Sequence, residues 1–87
     1  MSIAPALPIA GTITLLSTSW CGYCSSLRQA LGRAGIEYAE VDIERDPVAA
    51  DYVRSVNRGN QTVPTVVFPD GSTATNPSLA EVRLRLA

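Results

Sequence analysis

The sequence predicts an α/β domain in the order β-α-β-α-β-β-α, a four-stranded mixed sheet flanked by three helices. Three observations predict it. A β-branched, apolar run at residues 12–17 leads directly into apolar residues at helical spacing. An alternating run at residues 37–43 is followed by Asp46-Pro47, which has helix-start chemistry. A short apolar run at residues 65–68 meets the turn residues Pro69-Asp70-Gly71, and a last helix signal follows.

Residues 12–17 (Thr-Ile-Thr-Leu-Leu-Ser) read as a buried strand. Cys24, Leu27, Leu31 and Ala34 then recur at helical spacing, with Ala30 beside them and Gly35 as the stop. In residues 37–43, Glu37, Ala39, Val41 and Ile43 fall on one side, and Tyr38, Glu40 and Asp42 on a wet face. Asp46 is the N-cap of a second helix whose inward stripe reads Val48, Tyr52, Val53 and Val56. Asn57-Arg58-Gly59-Asn60 ends it. Residues 72–75 pair back on residues 65–68 as an edge strand. Ser78 and Glu81 stand at capping-box spacing for the last helix, with Leu79, Val82 and Leu86 inward. Arg83 and Arg85 lie in its last turn, where the helix dipole favours cations. The first βαβ unit implies two parallel strands and a right-handed crossover.

With 87 residues, the chain is expected to form one domain over residues 1–87. Residues 1–11 read as a loosely packed leader: two prolines interrupt them and no positive charge precedes them, unlike a signal peptide. Localisation is therefore expected to be cytoplasmic. No run approaches the roughly 20 apolar residues of a membrane span, and the net charge of −1 argues against nucleic acid or an anionic membrane as partner. All seven basic residues are Arg and there is no His, which removes imidazole chemistry and most zinc sites. No metal site is expected.

The chemistry centres on Cys21 and Cys24, the two cysteines of the chain. Such a CxxC closes too short a loop to stabilise much by chain entropy. Cys21 lies where the first strand ends and the first helix begins, near unpaired N–H groups and the positive helix end. That position favours thiolate, the reactive form in disulfide exchange. Cys24 lies one turn later on the buried stripe, within disulfide reach. One sulfur is thus expected to be exposed and activated, the other shielded and poised to resolve. For Val63-Pro64, a trans peptide is the ordinary expectation, because only about 5–6% of X–Pro bonds are cis.

The segments Trp20-Cys21-Gly22-Tyr23-Cys24 and Thr62-Val63-Pro64-Thr65, in this order of elements, resemble the glutaredoxins. They are more similar still to the mycoredoxins, glutaredoxin-like proteins of actinobacteria. That likeness includes Thr18-Ser19-Trp20, Glu40-Val41-Asp42-Ile43-Glu44, Asp70-Gly71-Ser72-Thr73 and Thr75-Asn76-Pro77-Ser78, and it spans residues 12–86. The resemblance implies the thioredoxin/glutaredoxin fold and a thiol–disulfide oxidoreductase. It implies that Pro64 is cis and faces Cys21, and that the Val63 backbone pairs with the substrate. Thr62 would shape that groove, Trp20 and Tyr23 would flank the substrate thiol, and Asn76 and Ser78 would hold its polar end.

Glutathione-using glutaredoxins usually carry a Lys before the first Cys, and a Gly-Gly then Asp near the last helix. This chain has no Lys, and Thr75-Asn76-Pro77-Ser78 stands in that segment. A neutral, hydroxyl-rich groove suits mycothiol, a sugar-inositol thiol without glutathione's two carboxylates. The expected function is reduction of protein–mycothiol mixed disulfides by a monomer with no tightly bound cofactor. Its partners would be mycothiol, S-mycothiolated proteins and, indirectly, an NADPH-dependent mycothiol disulfide reductase. Two alternatives stand beside it. One is a dithiol redoxin reduced by thioredoxin reductase and serving ribonucleotide reductase. The other is an iron–sulfur-binding glutaredoxin bridged by Cys21 from two chains.

Overall fold

A computed structural model of the protein describes residues 6–86. The elements are β1 (Ile13–Ser17), α1 (Gly22–Ala34), β2 (Tyr38–Asp42), α2 (Pro47–Val56), β3 (Thr65–Val67), β4 (Thr73–Thr75) and α3 (Leu79–Leu86). They follow the order expected from the sequence. The sheet runs β2-β1-β3-β4. β1 pairs parallel with β2 from Ile13↔Tyr38 to Ser17↔Asp42. It pairs antiparallel with β3, which pairs antiparallel with β4.

Strand alternation sends successive side chains to opposite faces and so divides the core in two. Ile13 and Leu15 of β1 join Val66, Phe68, Leu27, Leu31 and Val82 under α1 and α3. Leu16 and Val67 point the other way and join Ile43, Ala49, Ala50, Tyr52 and Val53 under α2. Each fully buried aliphatic side chain contributes about 1.5–3 kcal/mol.

Two patterns differ from expectation. The inward stripe of α2 is Ala49, Ala50, Tyr52 and Val53, whereas Val48 is 52% exposed and Val56 sits at the rim. Asp46 caps the helix by accepting the Ala49 N–H, which sets its rotational phase and brings the small alanines to the sheet. The Tyr38–Glu40 face of β2 is also drier than an open strand face. Tyr38 packs against the first core, and Glu40 is covered by Arg28 of α1.

Helix ends follow local chemistry. Gly35 closes α1 in the left-handed region at φ 71°. Ser78 caps α3 by accepting the Glu81 N–H at 3.1 Å. Arg85 stacks 4.0 Å over the Phe68 ring and donates to Ser72 Oγ and Thr73 O, so it lids the core as well as facing the helix dipole. Of the expected leader, residues 1–5 lie outside the described residues. Residues 6–11 are irregular and tied by Thr12, whose N–H donates to Ile9 O at 3.0 Å.

Candidate functional site

Cys21 is the N-cap of α1, with extended backbone at φ −83° and ψ 115°. Its Sγ accepts the Cys24 N–H at 3.2 Å, the role a Ser or Asp oxygen plays at other helix starts. A backbone donor and the positive end of the helix therefore both face this sulfur. Cys24 is fully buried on the Leu27–Leu31 stripe. Burial pushes the Cys24 thiol up to about 12, and its hydrogen bond with Cys21 adds to this. The Thr18 backbone N–H and the Arg28 charge pull the other way. Cys21 is more covered than expected, at 7% exposed. The loop before β3 causes this, since the Val63 carbonyl lies 3.8 Å from Cys21 Sγ.

The Val63–Pro64 peptide is cis, against the ordinary expectation and in line with the resemblance. Pro64 is buried, and its carbonyl accepts the Asn76 N–H at 2.8 Å. Asn76 adopts φ 48°, a left-handed conformation that Asn tolerates. One bond thus joins the cis-Pro loop to the entry of α3. Between α1 and that entry runs an open groove of about 200 Å³ lined by Tyr23, Ser26, Leu27, Asn76, Ser78 and Leu79, among others, with no charged side chain in its lining. A cavity of similar size, about 210 Å³, lies at the β3–β4 turn beside Asp70 and Arg85, away from both cysteines.

The structure brings Cys21, Cys24 and Val63 together, and Tyr23, Asn76 and Ser78 line the adjoining groove. Ser78 Oγ is already engaged in capping α3. Trp20 is 71% exposed, with Nε1 donating to Glu44 Oε2 at 3.0 Å. Thr62 is exposed and acts through its carbonyl, which accepts Thr65 Oγ1 at 2.8 Å. Among the described residues, no group of three or more His, Cys, Asp or Glu could hold a metal ion, and no helix is long and apolar enough to cross a membrane.

The glutaredoxin sequence profile matches residues 13–72 of this chain, a stretch that holds both cysteines and the cis-Pro loop. The chain belongs to the glutaredoxin family. This glutaredoxin is 56% identical to a Mycobacterium tuberculosis protein named as a glutaredoxin, over 90% of this chain and 93% of that protein. It is 49% identical to mycoredoxin 1 of Corynebacterium glutamicum, over 80% of this chain and 86% of that protein. The solved structure of a Methanosarcina mazei glutaredoxin shares the fold at a TM-score of 0.74 and 20% identity, over 90% of this chain and 80% of that one. It is a thiol–disulfide oxidoreductase of the thioredoxin/glutaredoxin fold, similar to the mycoredoxins.

Sequence reasoning missed the side chains that support this glutaredoxin's site. Asn57 Nδ2 donates to Val53 O at 2.8 Å and to Thr65 Oγ1 at 3.1 Å, while its Oδ1 accepts Thr75 Oγ1 at 2.6 Å. It ties the end of α2 to both strands that follow the cis-Pro loop. Arg28 pairs with Glu40 at 2.6 Å. Asn57 reads in sequence as a helix-ending residue, and nothing in the local pattern singles out Arg28 beyond the spacing of four that puts it on the face of Cys24.

Proposed function

We propose that this glutaredoxin reduces mixed disulfides between proteins and mycothiol, with Cys21 as the nucleophile. The observation that carries the reading is the groove between α1 and the start of α3, where Tyr23, Ser26, Asn76 and Ser78 stand among Leu27, Ala30, Pro77 and Leu79 with no charged side chain in the lining. A polyol needs donors and acceptors more than cations, whereas glutathione brings two carboxylates. Similarity to mycoredoxin 1 of Corynebacterium glutamicum supports the same substrate.

Cys21 thiolate attacks the mycothiol sulfur of the mixed disulfide. The protein thiol leaves and mycothiol stays on Cys21. A second mycothiol attacks its own kind on Cys21, releasing mycothiol disulfide and the Cys21 thiolate. An NADPH-dependent reductase then recycles the mycothiol disulfide. The Val63 backbone aligns the incoming disulfide, Tyr23 flanks it, and Asn76 and Ser78 meet the sugar end. Trp20 and Thr62 form the far rim. The enzyme acts as a single domain, as a monomer in the cytoplasm, without a tightly bound cofactor.

The test is a coupled assay on one protein substrate carrying either mycothiol or glutathione. The mycothiol form should turn over at least about tenfold faster, the effect of roughly one well-matched polar contact set. Equal rates would remove the preference for mycothiol. Cys21→Ser should abolish turnover and Cys24→Ser should retain it. NADPH consumption through a thioredoxin reductase without mycothiol would favour the dithiol alternative instead.

A further inference from the structure

Cys24 and Arg28 lie four residues apart on α1, so their side chains share a face. Both converge on Thr18. Its carbonyl accepts Arg28 Nη2 at 3.5 Å, and its backbone N–H favours the Cys24 thiolate. Glu40 of β2 anchors the guanidinium from the other side: Arg28 Nε donates to Oε2 at 2.6 Å, and Ser17 Oγ donates to the same oxygen at 2.5 Å. Both charged side chains are less than one third exposed, at 28% and 30%. This cation is held in place rather than solvated. The ionisable groups acting on Cys24 are Cys21 and Arg28, both from α1, while Glu40 and Tyr38 of β2 act on Arg28.

We infer that Arg28 is a positioning residue for the second cysteine: its charge, fixed by Glu40, stabilises the developing Cys24 thiolate and so sets how often a Cys21 mixed disulfide closes to the internal disulfide. The inference rests on reading Cys21 as nucleophile and Cys24 as resolver. In the closing step the Cys24 thiol loses its proton to solvent and its sulfur attacks Cys21 Sγ. The Cys21–Cys24 bond forms and the bond from Cys21 to the small thiol breaks. The small thiol leaves as a thiolate that takes up one proton, so the balance closes. Thiols of the cell's pool later reduce the internal disulfide. Arg28 thereby divides the traffic between a one-cysteine and a two-cysteine route.

The experiment mixes reduced full-length protein with excess hydroxyethyl disulfide, quenches with acid, and follows the adduct by mass spectrometry. A first phase adds one mercaptoethanol at Cys21. A second phase loses it as the internal disulfide closes, and Cys24→Ser removes this phase. Arg28→Gln should slow the second phase about three- to tenfold near neutral pH, as expected for a partly screened charge. The first phase should stay unchanged, and the second-phase pH profile should move to higher pH. Arg28→Lys, which keeps the charge, should recover most of the rate. Equal slowing of both phases, an unaltered second phase, or a Lys variant no better than Gln would overturn the inference. Adduct formation in Cys21→Ser at the wild-type rate would instead overturn the reading of Cys21 on which it rests.

Discussion

The Cys24 backbone N–H donates to Cys21 Sγ at 3.2 Å, so the helix that carries the chemistry is capped by its own nucleophile. Serine is itself a good N-cap. Cys21→Ser should therefore change stability by no more than about 0.5 kcal/mol, while turnover falls by at least roughly a hundredfold. Denaturant unfolding and the coupled assay read the two separately. Iodoacetamide near neutral pH should label Cys21 first and leave Cys24 mostly unmodified, because burial holds the Cys24 thiol up at about 12. Peptide mass spectrometry checks this, and equal labelling would contradict the asymmetry.

That same burial gives stability a pH dependence. In the unfolded chain Cys24 titrates in the ordinary thiol range, near 8.5. In the fold burial raises it to about 12. The fold therefore favours the protonated thiol. Its contribution is fully present below the ordinary thiol range and is lost as pH rises from there toward the folded value. Cys24→Ala removes this term at the cost of a small cavity that does not depend on pH. Unfolding of the reduced proteins over a rising pH series should show the wild-type advantage over Cys24→Ala shrinking above about pH 9. A constant difference would show that Cys24 ionises as freely in the fold as outside it.

The order of elements was legible because each has local punctuation: Cys21 and Gly35 around α1, Asp46-Pro47 before α2, Gly71 in the β3–β4 turn and Ser78 before α3. The burial of Cys24 was legible too, since helical spacing alone puts it on the Leu27–Leu31 stripe, whereas the cover that the Val63 loop lays over Cys21 was not. The phase of α2 was not. Val48 and Val56 outrank Ala49 and Ala50 in hydrophobicity, but the sheet admits the smaller side chains at that distance. Support for the site was equally hidden. Glu40 and Thr75 meet their side-chain partners across elements, as Asn57 meets Thr65 and Thr75, and no local pattern records a contact between the end of α2 and β4.

Asn57 should prove the most sensitive of these supports. It is half-buried and bonds Val53 O, Thr65 Oγ1 and Thr75 Oγ1 at once. Asn57→Ala leaves the Val53 carbonyl and the fully buried Thr65 short of a partner, which costs about 1–3 kcal/mol. Thr75→Val removes one exposed bond to the same residue and should cost about 0.5–1 kcal/mol. Because Thr65 follows Pro64 directly, Asn57→Ala should also raise KM for a mixed disulfide more than it lowers kcat. Urea unfolding with steady-state kinetics tests both effects. A KM unchanged in a folded Asn57→Ala protein would separate this network from the groove.

Trp20 offers the last test, because it is the one tryptophan in the chain and stands next to Cys21. Its indole N–H donates to Glu44 Oε2 at 3.0 Å while the ring is 71% exposed. An exposed charge-assisted bond contributes little to stability, so Glu44→Ala should shift it by no more than about 0.5 kcal/mol. The orientation of the ring is a different matter. With Glu44 the indole is held toward the β2–α2 turn. Without it the ring regains its rotamers and sweeps the mouth over Cys21. The fluorescence of Glu44→Ala should therefore show lower steady-state anisotropy than wild type, and KM for protein mixed disulfides should rise about two- to fivefold, the cost of restricting one freed aromatic side chain. Glu44→Gln, which keeps an acceptor for the indole, should lie between the two. If anisotropy falls while KM holds, Trp20 is a bystander beside the nucleophile; if both move together, the Trp20–Glu44 bond is part of how the site receives its substrate.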